Sequence, residues 1–112
     1  MKFKELYESE LITESPNFDT SDTGLPYQIY VSQKPQVEHN LPRLKINING
    51  TLFPISFGKD IKWLTPTSMT PKIKSKELKL IKQFIGKNNK MLLQFWYKEI
   101  DEQHLRQNIK KV

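Results

Sequence analysis

The stretch that decides the fold is RLKINI-NG-TLFPISF, residues 43–57. Apolar and polar residues alternate strictly over 43–48, which is the pattern of a strand with one buried face. Asn49-Gly50 follows, and this dipeptide favours a type I′ hairpin turn because both of its residues tolerate positive φ. A two-residue turn fixes the register. The expected cross-strand pairs are Ile48 with Thr51, Ile46 with Phe53, and Leu44 with Ile55.

The hairpin is expected to have one apolar face and one basic face that is exposed to solvent. The apolar residues Leu44, Ile46 and Ile48 fall on the core side, and Arg43 and Lys45 fall on the other. Pro54 lacks an amide hydrogen and cannot donate to a ladder, so we expect its strand to lie at an edge of the sheet or to carry a bulge.

Further strands are predicted near 27–32 and 60–64, and helices beyond residue 75. Ser75 is a plausible N-cap, and Glu77 suits the positive end of a helix dipole. Gly86-Lys87-Asn88-Asn89 indicates a C-cap followed by a new N-cap, hence two helices. Of 95–97, Phe95 or Trp96 is expected in the core, with Tyr97 at the rim. Strands followed by helices predict an α+β fold, with a small antiparallel sheet packed against C-terminal helices.

The 112 residues suffice for one domain. Residues 1–14 are predicted to form an amphipathic leader helix, 15–26 a linker rich in Ser, Asp, Thr, Pro and Gly, and 27–112 a single basic α+β domain. The chain has no cysteine, which excludes disulfides and thiolate metal sites. It also has no run of 18 apolar residues, so we expect no membrane partner.

The charge is unevenly distributed along the chain. The formal net charge is +6, from 18 Lys+Arg and 12 Asp+Glu. Two positive and six negative residues give 1–25 a net charge of −4, whereas 16 positive and six negative residues give 26–112 a net charge of +10. A basic body beside an acidic leader is typical of a protein that binds a polyanion.

The basic residues that we expect to form one binding surface come from the hairpin side and from a lysine-rich stretch: Arg43, Lys45, Lys59, Lys62, Lys72, Lys74, Lys76, Lys79, Lys82, Lys87 and Lys90. Nucleic acid or an acidic host protein would suit this surface. The alternative is that these lysines only solvate the outer face of a helix. Arginine, the better fork for phosphate, occurs only at 43 and 106, which argues against sequence-specific recognition.

Catalytic signals are weak, and we expect neither an enzyme nor a cofactor or metal. Asp60-Ile61-Lys62, with Glu38 as a second carboxylate, matches part of a metal-dependent nuclease site, which stays open as an alternative. The same residues after Gly58 also fit a turn. His39 and His104 are far apart in the sequence, and the four glycines are too scattered for a phosphate-binding loop.

The body resembles a small bacterial domain-of-unknown-function family with an aromatic strand, a Pro-Pro-His-x-His-Val-like strand, a hairpin and a C-terminal helical stretch. The matching pieces are 27–30, 41–46, 76–85, 88–89 and 92–96. Arg43 and Lys45 stand where that family has its histidines, so a role for imidazoles does not carry over. The resemblance implies a binding role of the toxin–antitoxin type, with a cognate small protein as partner.

The leader resembles the head-targeting leaders of internal proteins in T-even-type bacteriophages, which are cut after Glu in Leu/Ile-x-Glu. Ile12-Thr13-Glu14 offers such a site before Ser15. The resemblance implies a non-enzymatic accessory protein of a tailed phage or mobile element, located in the bacterial cytoplasm and also in the phage particle. The alternative is an ordinary helix docked on its own domain. Mass spectrometry of protein from particles tests this, because an intact Met1 terminus contradicts cleavage.

Overall fold

The computed structural model describes residues 16–32 and 41–112. The elements in chain order are β1 (Asn17–Phe18), α1 (Thr20–Thr23), β2 (Gln28–Val31), β3 (Arg43–Ile48), β4 (Thr51–Ser56), a 3₁₀ turn (Thr67–Met69), α2 (Ser75–Trp96) and α3 (Glu102–Asn108). The leader predicted over 1–14, with the cleavage site at Glu14 and Ser15, lies outside the described residues.

The described strands form one antiparallel sheet in the order β1-β2-β3-β4. The α+β class predicted from the sequence is confirmed. The hairpin register is confirmed as well: Ile48 lies opposite Thr51, Ile46 opposite Phe53, and Leu44 opposite Ile55. Asn49 and Gly50 have φ of 54° and 88°, as a type I′ turn requires.

Pro54 lies on β4, at one edge of this sheet. The predicted strand over 60–64 is wrong, because this segment contributes only an isolated bridge between Ile55 and Trp63. The Ser56 amide donates to the Lys62 carbonyl at 2.8 Å, and the Leu64 amide donates to the Pro54 carbonyl at 2.9 Å. The ladder extends no further in either direction. Pro54 has no amide hydrogen to donate to Leu64, and the Lys62 amide donates to the Ser56 hydroxyl oxygen at 3.1 Å rather than to the Ser56 carbonyl.

The linker predicted over 15–26 is wrong for its described part, because residues 16–26 belong to the folded body. Phe18 pairs with Ile29, and its side chain is fully buried, as are those of Thr23 and Leu25. Asp19 is the N-cap residue of α1, and its amide donates to the Asp22 carboxylate at 2.9 Å. The polar residues of this segment therefore form caps and turns between a few buried apolar residues. The overall composition of the segment does not reveal those apolar residues.

The helix break predicted at 86–89 is also wrong, because α2 runs without interruption for 22 residues. Gly86 is not among the residues with positive φ. The apolar stripe keeps its spacing of three to four residues across the glycine, so both halves bury the same face: Ile81, Phe84, Ile85, Leu92, Phe95 and Trp96. Burial of this stripe outweighs the cost of one helical glycine, about 1 kcal/mol.

The molecule is built in two layers around one core. The inner residues of the sheet, among them Ile29, Leu44 and Ile46, form a single apolar cluster with the buried face of α2 and with Leu105 of α3. Phe57, just after β4, packs edge-on against Trp96, with ring centroids 6.4 Å apart. The outer face of α2 is therefore one side of the molecule, and the outer face of the sheet is the opposite side.

Candidate functional site

The outer face of α2 carries all five of its lysines. These are Lys76, Lys79, Lys82, Lys87 and Lys90, and each is exposed. At 3.6 residues per turn they fall within about 140° of the helix circumference and extend over about 21 Å of its length. The one acidic residue of α2, Glu77, accepts hydrogen bonds from the Tyr27 hydroxyl at 2.8 Å and from the Lys74 amide at 3.4 Å. We call these five lysines the α2 basic face.

Lys59 joins this face along one flank. The Asn89 side chain accepts a hydrogen bond from the Gly58 amide at 2.9 Å and donates one to the Gly58 carbonyl at 3.0 Å. These two bonds hold the turn after β4 against the middle of α2, so the exposed Lys59 lies beside the helix. The sequence predicted this lysine as part of the surface but not the asparagine that positions it.

The opposite flank is formed by the segment after α3. The Asn88 side chain donates to the Lys110 carbonyl at 2.9 Å and accepts from the Lys110 amide at 2.8 Å. The Lys87 ammonium donates to the Lys111 carbonyl at 2.9 Å. Lys110 and Lys111 are exposed here, and the sequence analysis missed both of them. No local pattern in the sequence marks them, because the Asn88 contacts that position this segment join residues 22 positions apart.

Lys72 and Lys74 are exposed at the start of α2, where Lys74 is the N-cap residue. Together with Lys76 they extend the α2 basic face toward the helix N-terminus. Cations at this end oppose the helix dipole, each by a few tenths of a kcal/mol. Lysines three residues apart, such as Lys79 and Lys82, also repel one another. The charge distribution therefore lowers the stability of the isolated chain and would favour an anion laid along the helix.

Arg43, Lys45 and Lys62 are not part of this face. Arg43 lies opposite Ser56, and the bridge at Trp63 places Lys62 next to Ser56 as well, all on the outer side of the sheet. Lys45 was expected on a wet face, but it is only 7 % exposed. It sits on an inner strand, between Tyr30 and Pro54 in register. The single basic surface expected from the sequence is thus divided between two sides of the molecule.

Ion pairs do not neutralise the α2 basic face within the described residues. The salt bridge found among these residues lies on α3, where the Arg106 guanidinium contacts the Glu102 carboxylate at 2.9 Å. Burial of the phenol raises the pKa of Tyr27, and the hydrogen bond to the Glu77 carboxylate and the charge of that carboxylate raise it further. This contact fastens the start of α2 to the residue before β2.

The residues considered for metal chemistry are dispersed in the described part of the chain. Over 16–32 and 41–112, no three His, Asp or Glu residues come together as a group that could hold a metal ion. Asp60 is exposed, and its backbone carbonyl accepts from the Ser56 hydroxyl at 2.8 Å. His104 is exposed on α3. Glu38 and His39 fall outside the described residues.

None of the described helices has the length and apolar character needed to cross a membrane. Comparison with protein-family models, with curated proteins and with solved structures found no match to this chain.

Proposed function

We propose that this protein is a non-enzymatic binding protein that holds nucleic acid along the α2 basic face. The observation that carries the proposal is the arrangement of five exposed lysines on one side of a continuous 22-residue helix, with no acidic residue among them. Lys59 on one flank, with Lys110 and Lys111 on the other, widens the positive field. Such a field attracts phosphates at long range and releases counterions on contact.

Nucleic acid fits this face better than an acidic protein does. Protein interfaces are organised around buried aromatic or arginine anchors. Here Phe84, Phe95 and Trp96 of α2 are all buried in the protein's own core, and α2 contains no arginine. Lysine supplies a point charge rather than a bidentate fork, which suits contact with phosphates without recognition of base sequence. We therefore expect binding that depends on salt and is indifferent to sequence. A role in a phage particle rests on the resemblance of the leader alone.

The test is a titration of a fluorescent 20-base-pair DNA duplex of arbitrary sequence at several salt concentrations. If all five lysines contact phosphates, log K should fall with log[salt] with a slope of about −4 to −5. The triple variant Lys79→Gln, Lys82→Gln, Lys90→Gln should reduce the size of this slope by about 2.7, because each lost contact removes about 0.9.

The matched control is a charge reversal on each side of the molecule. Lys82→Glu and Lys62→Glu change the net charge equally, but only Lys82 lies on the α2 basic face. We expect Lys82→Glu to weaken duplex binding and Lys62→Glu to leave it near the wild-type value. Equal losses in the two variants would contradict binding at α2. Affinity that does not change with salt would contradict the counterion mechanism, and binding of polyglutamate but not of DNA would indicate an acidic protein partner.

A further inference from the structure

Gly86 is a helical glycine that the protein's own structure does not require. It lies inside α2, is exposed, and lacks the positive φ that would demand glycine. A Cβ atom built at this position meets no atom of the described residues within 4 Å. Glycine in a helix interior costs about 1 kcal/mol relative to alanine. Within residues 16–32 and 41–112, no turn, cap or close packing offsets this cost, so the bare backbone at Gly86 is open to contact with a binding partner.

Two lysines beside Gly86 could bind an anion placed over the glycine, and we call this position the seat. Lys82 and Lys90 lie one turn before and one turn after it on the same side of the helix, about 12 Å apart along the axis. Gly86 and Lys90 line one end of an open depression that runs along α2 to Glu99. The long stems of the two lysines allow both ammonium groups to reach a group placed over the glycine.

We propose that one phosphodiester group of a DNA duplex sits over Gly86, held between Lys82 and Lys90, so that the helix backbone lies directly against the nucleic-acid backbone. This inference rests on the proposed function and adds the point of closest approach and the form of nucleic acid. The missing side chain gives the phosphate room to approach, and the two ammonium groups supply charge-assisted hydrogen bonds.

A duplex is the form that these residues favour. Single strands are held by aromatic side chains on which the bases stack. No aromatic residue is exposed within α2. Tyr97, just after its last residue, lines the same depression as Gly86 and is the one large exposed aromatic among the described residues, so it offers a single ring for stacking rather than a series. A row of ammonium groups over about 21 Å, without a series of stacking partners, instead matches the regular phosphates of a duplex.

The experiment uses full-length protein and the same duplex with two substitutions at one position. Gly86→Ala and Gly86→Gln both replace glycine by a better helix former, so both should raise the melting temperature. Gly86→Gln places a long uncharged side chain over the seat, and we expect it to weaken duplex binding at least about tenfold, because it blocks the charge-assisted contacts of Lys82 and Lys90 with the phosphate. Gly86→Ala adds one methyl group and should weaken binding less. A variant that is more stable yet binds less tightly cannot owe its defect to unfolding.

A double-mutant comparison separates this seat from the rest of the face. In a background with Lys82→Gln and Lys90→Gln, the added Gly86→Gln should cause no further loss, because the contacts that it blocks are already absent. If Gly86→Gln binds like the wild type while the lysine variants lose affinity, the seat is wrong and the proposed function stands. If the wild-type protein does not bind the duplex at all, the proposed function itself is overturned. Stronger binding to a single strand than to the duplex would overturn the duplex assignment.

Discussion

Single side chains decide how α2 is attached to the segments on either side of it. Asn88 and Asn89 favour turns in isolation, yet both lie within α2 because their amides bind Lys110 and Gly58. Asn88 is 2 % exposed, and it also donates to the Phe84 carbonyl one turn earlier. Local propensity predicted a helix break at these residues. The helix continues because tertiary hydrogen bonds satisfy the side-chain amides that would otherwise favour a turn.

We expect the contact between Tyr27 and Glu77 to make the stability of the protein depend on pH. The pKa of Tyr27 in the folded protein is raised above the usual 10.0, chiefly by burial and then by Glu77. The folded state therefore holds the phenol proton more tightly than the unfolded state does. Its contribution to stability is complete below about pH 10 and is lost as the pH rises from there through the folded-state pKa.

The measurement is urea unfolding of the wild type and Tyr27→Phe between pH 7 and pH 11. At pH 7 the variant should be less stable by about 1 kcal/mol, because it lacks the hydrogen bond to Glu77. Above pH 10 the difference between the two proteins should shrink. Using the difference cancels the titration of the lysines, which both proteins share. Two curves that stay parallel to pH 11 would show that the phenol is not held in its protonated form.

At the scale of elements, the hairpin is specified locally and α2 is not. The turn at 49–50 and the alternation on each side of it determine β3, β4 and their register, because neighbouring residues alone fix a two-residue turn. The length of α2 depends instead on whether both sides of Gly86 find the same sheet to pack on. Prediction from neighbouring residues was therefore correct for the hairpin register and wrong for the helix break at 86–89.

Two glycines provide a matched test of this difference. Gly50 and Gly86 both have open space where a Cβ would go, but only Gly50 has a positive φ, of 88°. We expect Gly50→Ala to destabilise the protein by about 1–2 kcal/mol, because an L-residue is strained in that conformation. Gly86→Ala should stabilise it by up to about 1 kcal/mol. Thermal unfolding measures both, and equal signs at the two positions would contradict the assigned backbone geometry.

At the scale of the whole molecule, residues 16–26 pack into the core and contact the C-terminal segment. Phe18 is fully buried beneath the Arg106 guanidinium, which lies 4.4 Å from the ring centroid. The Val112 amide donates to the Thr23 carbonyl at 3.0 Å. The first and last described segments thus meet each other, and we expect the domain to unfold as one unit.

Phe18→Ala tests this expectation. Removal of a fully buried phenylalanine should lower the free energy of unfolding by about 3–5 kcal/mol. Asn17→Ala is the control, because it changes an exposed residue of the same strand and should alter stability by no more than about 0.5 kcal/mol. The loss should appear in a single transition seen equally by tryptophan fluorescence and far-ultraviolet circular dichroism. A small loss, or an early separate transition, would mean that 16–26 is a dispensable linker after all.

The sequence alone determined the fold class, the hairpin with its register, the restriction of Pro54 to an edge or a bulge, and the inward face of the C-terminal helical stretch. Each follows from residues close together in the chain, where turn geometry and periodicity act directly. Only the tertiary structure decided that α2 is a single helix, that residues 16–26 are core, and which basic residues share a side. Strand alternation sends Arg43 and Lys62 to the outside of the sheet, while helix packing sends the lysines of α2 to the outside of the other layer. Two layers that share a core have outer faces on opposite sides of the molecule. The distribution of charge along the sequence does not show which of these sides a given residue faces.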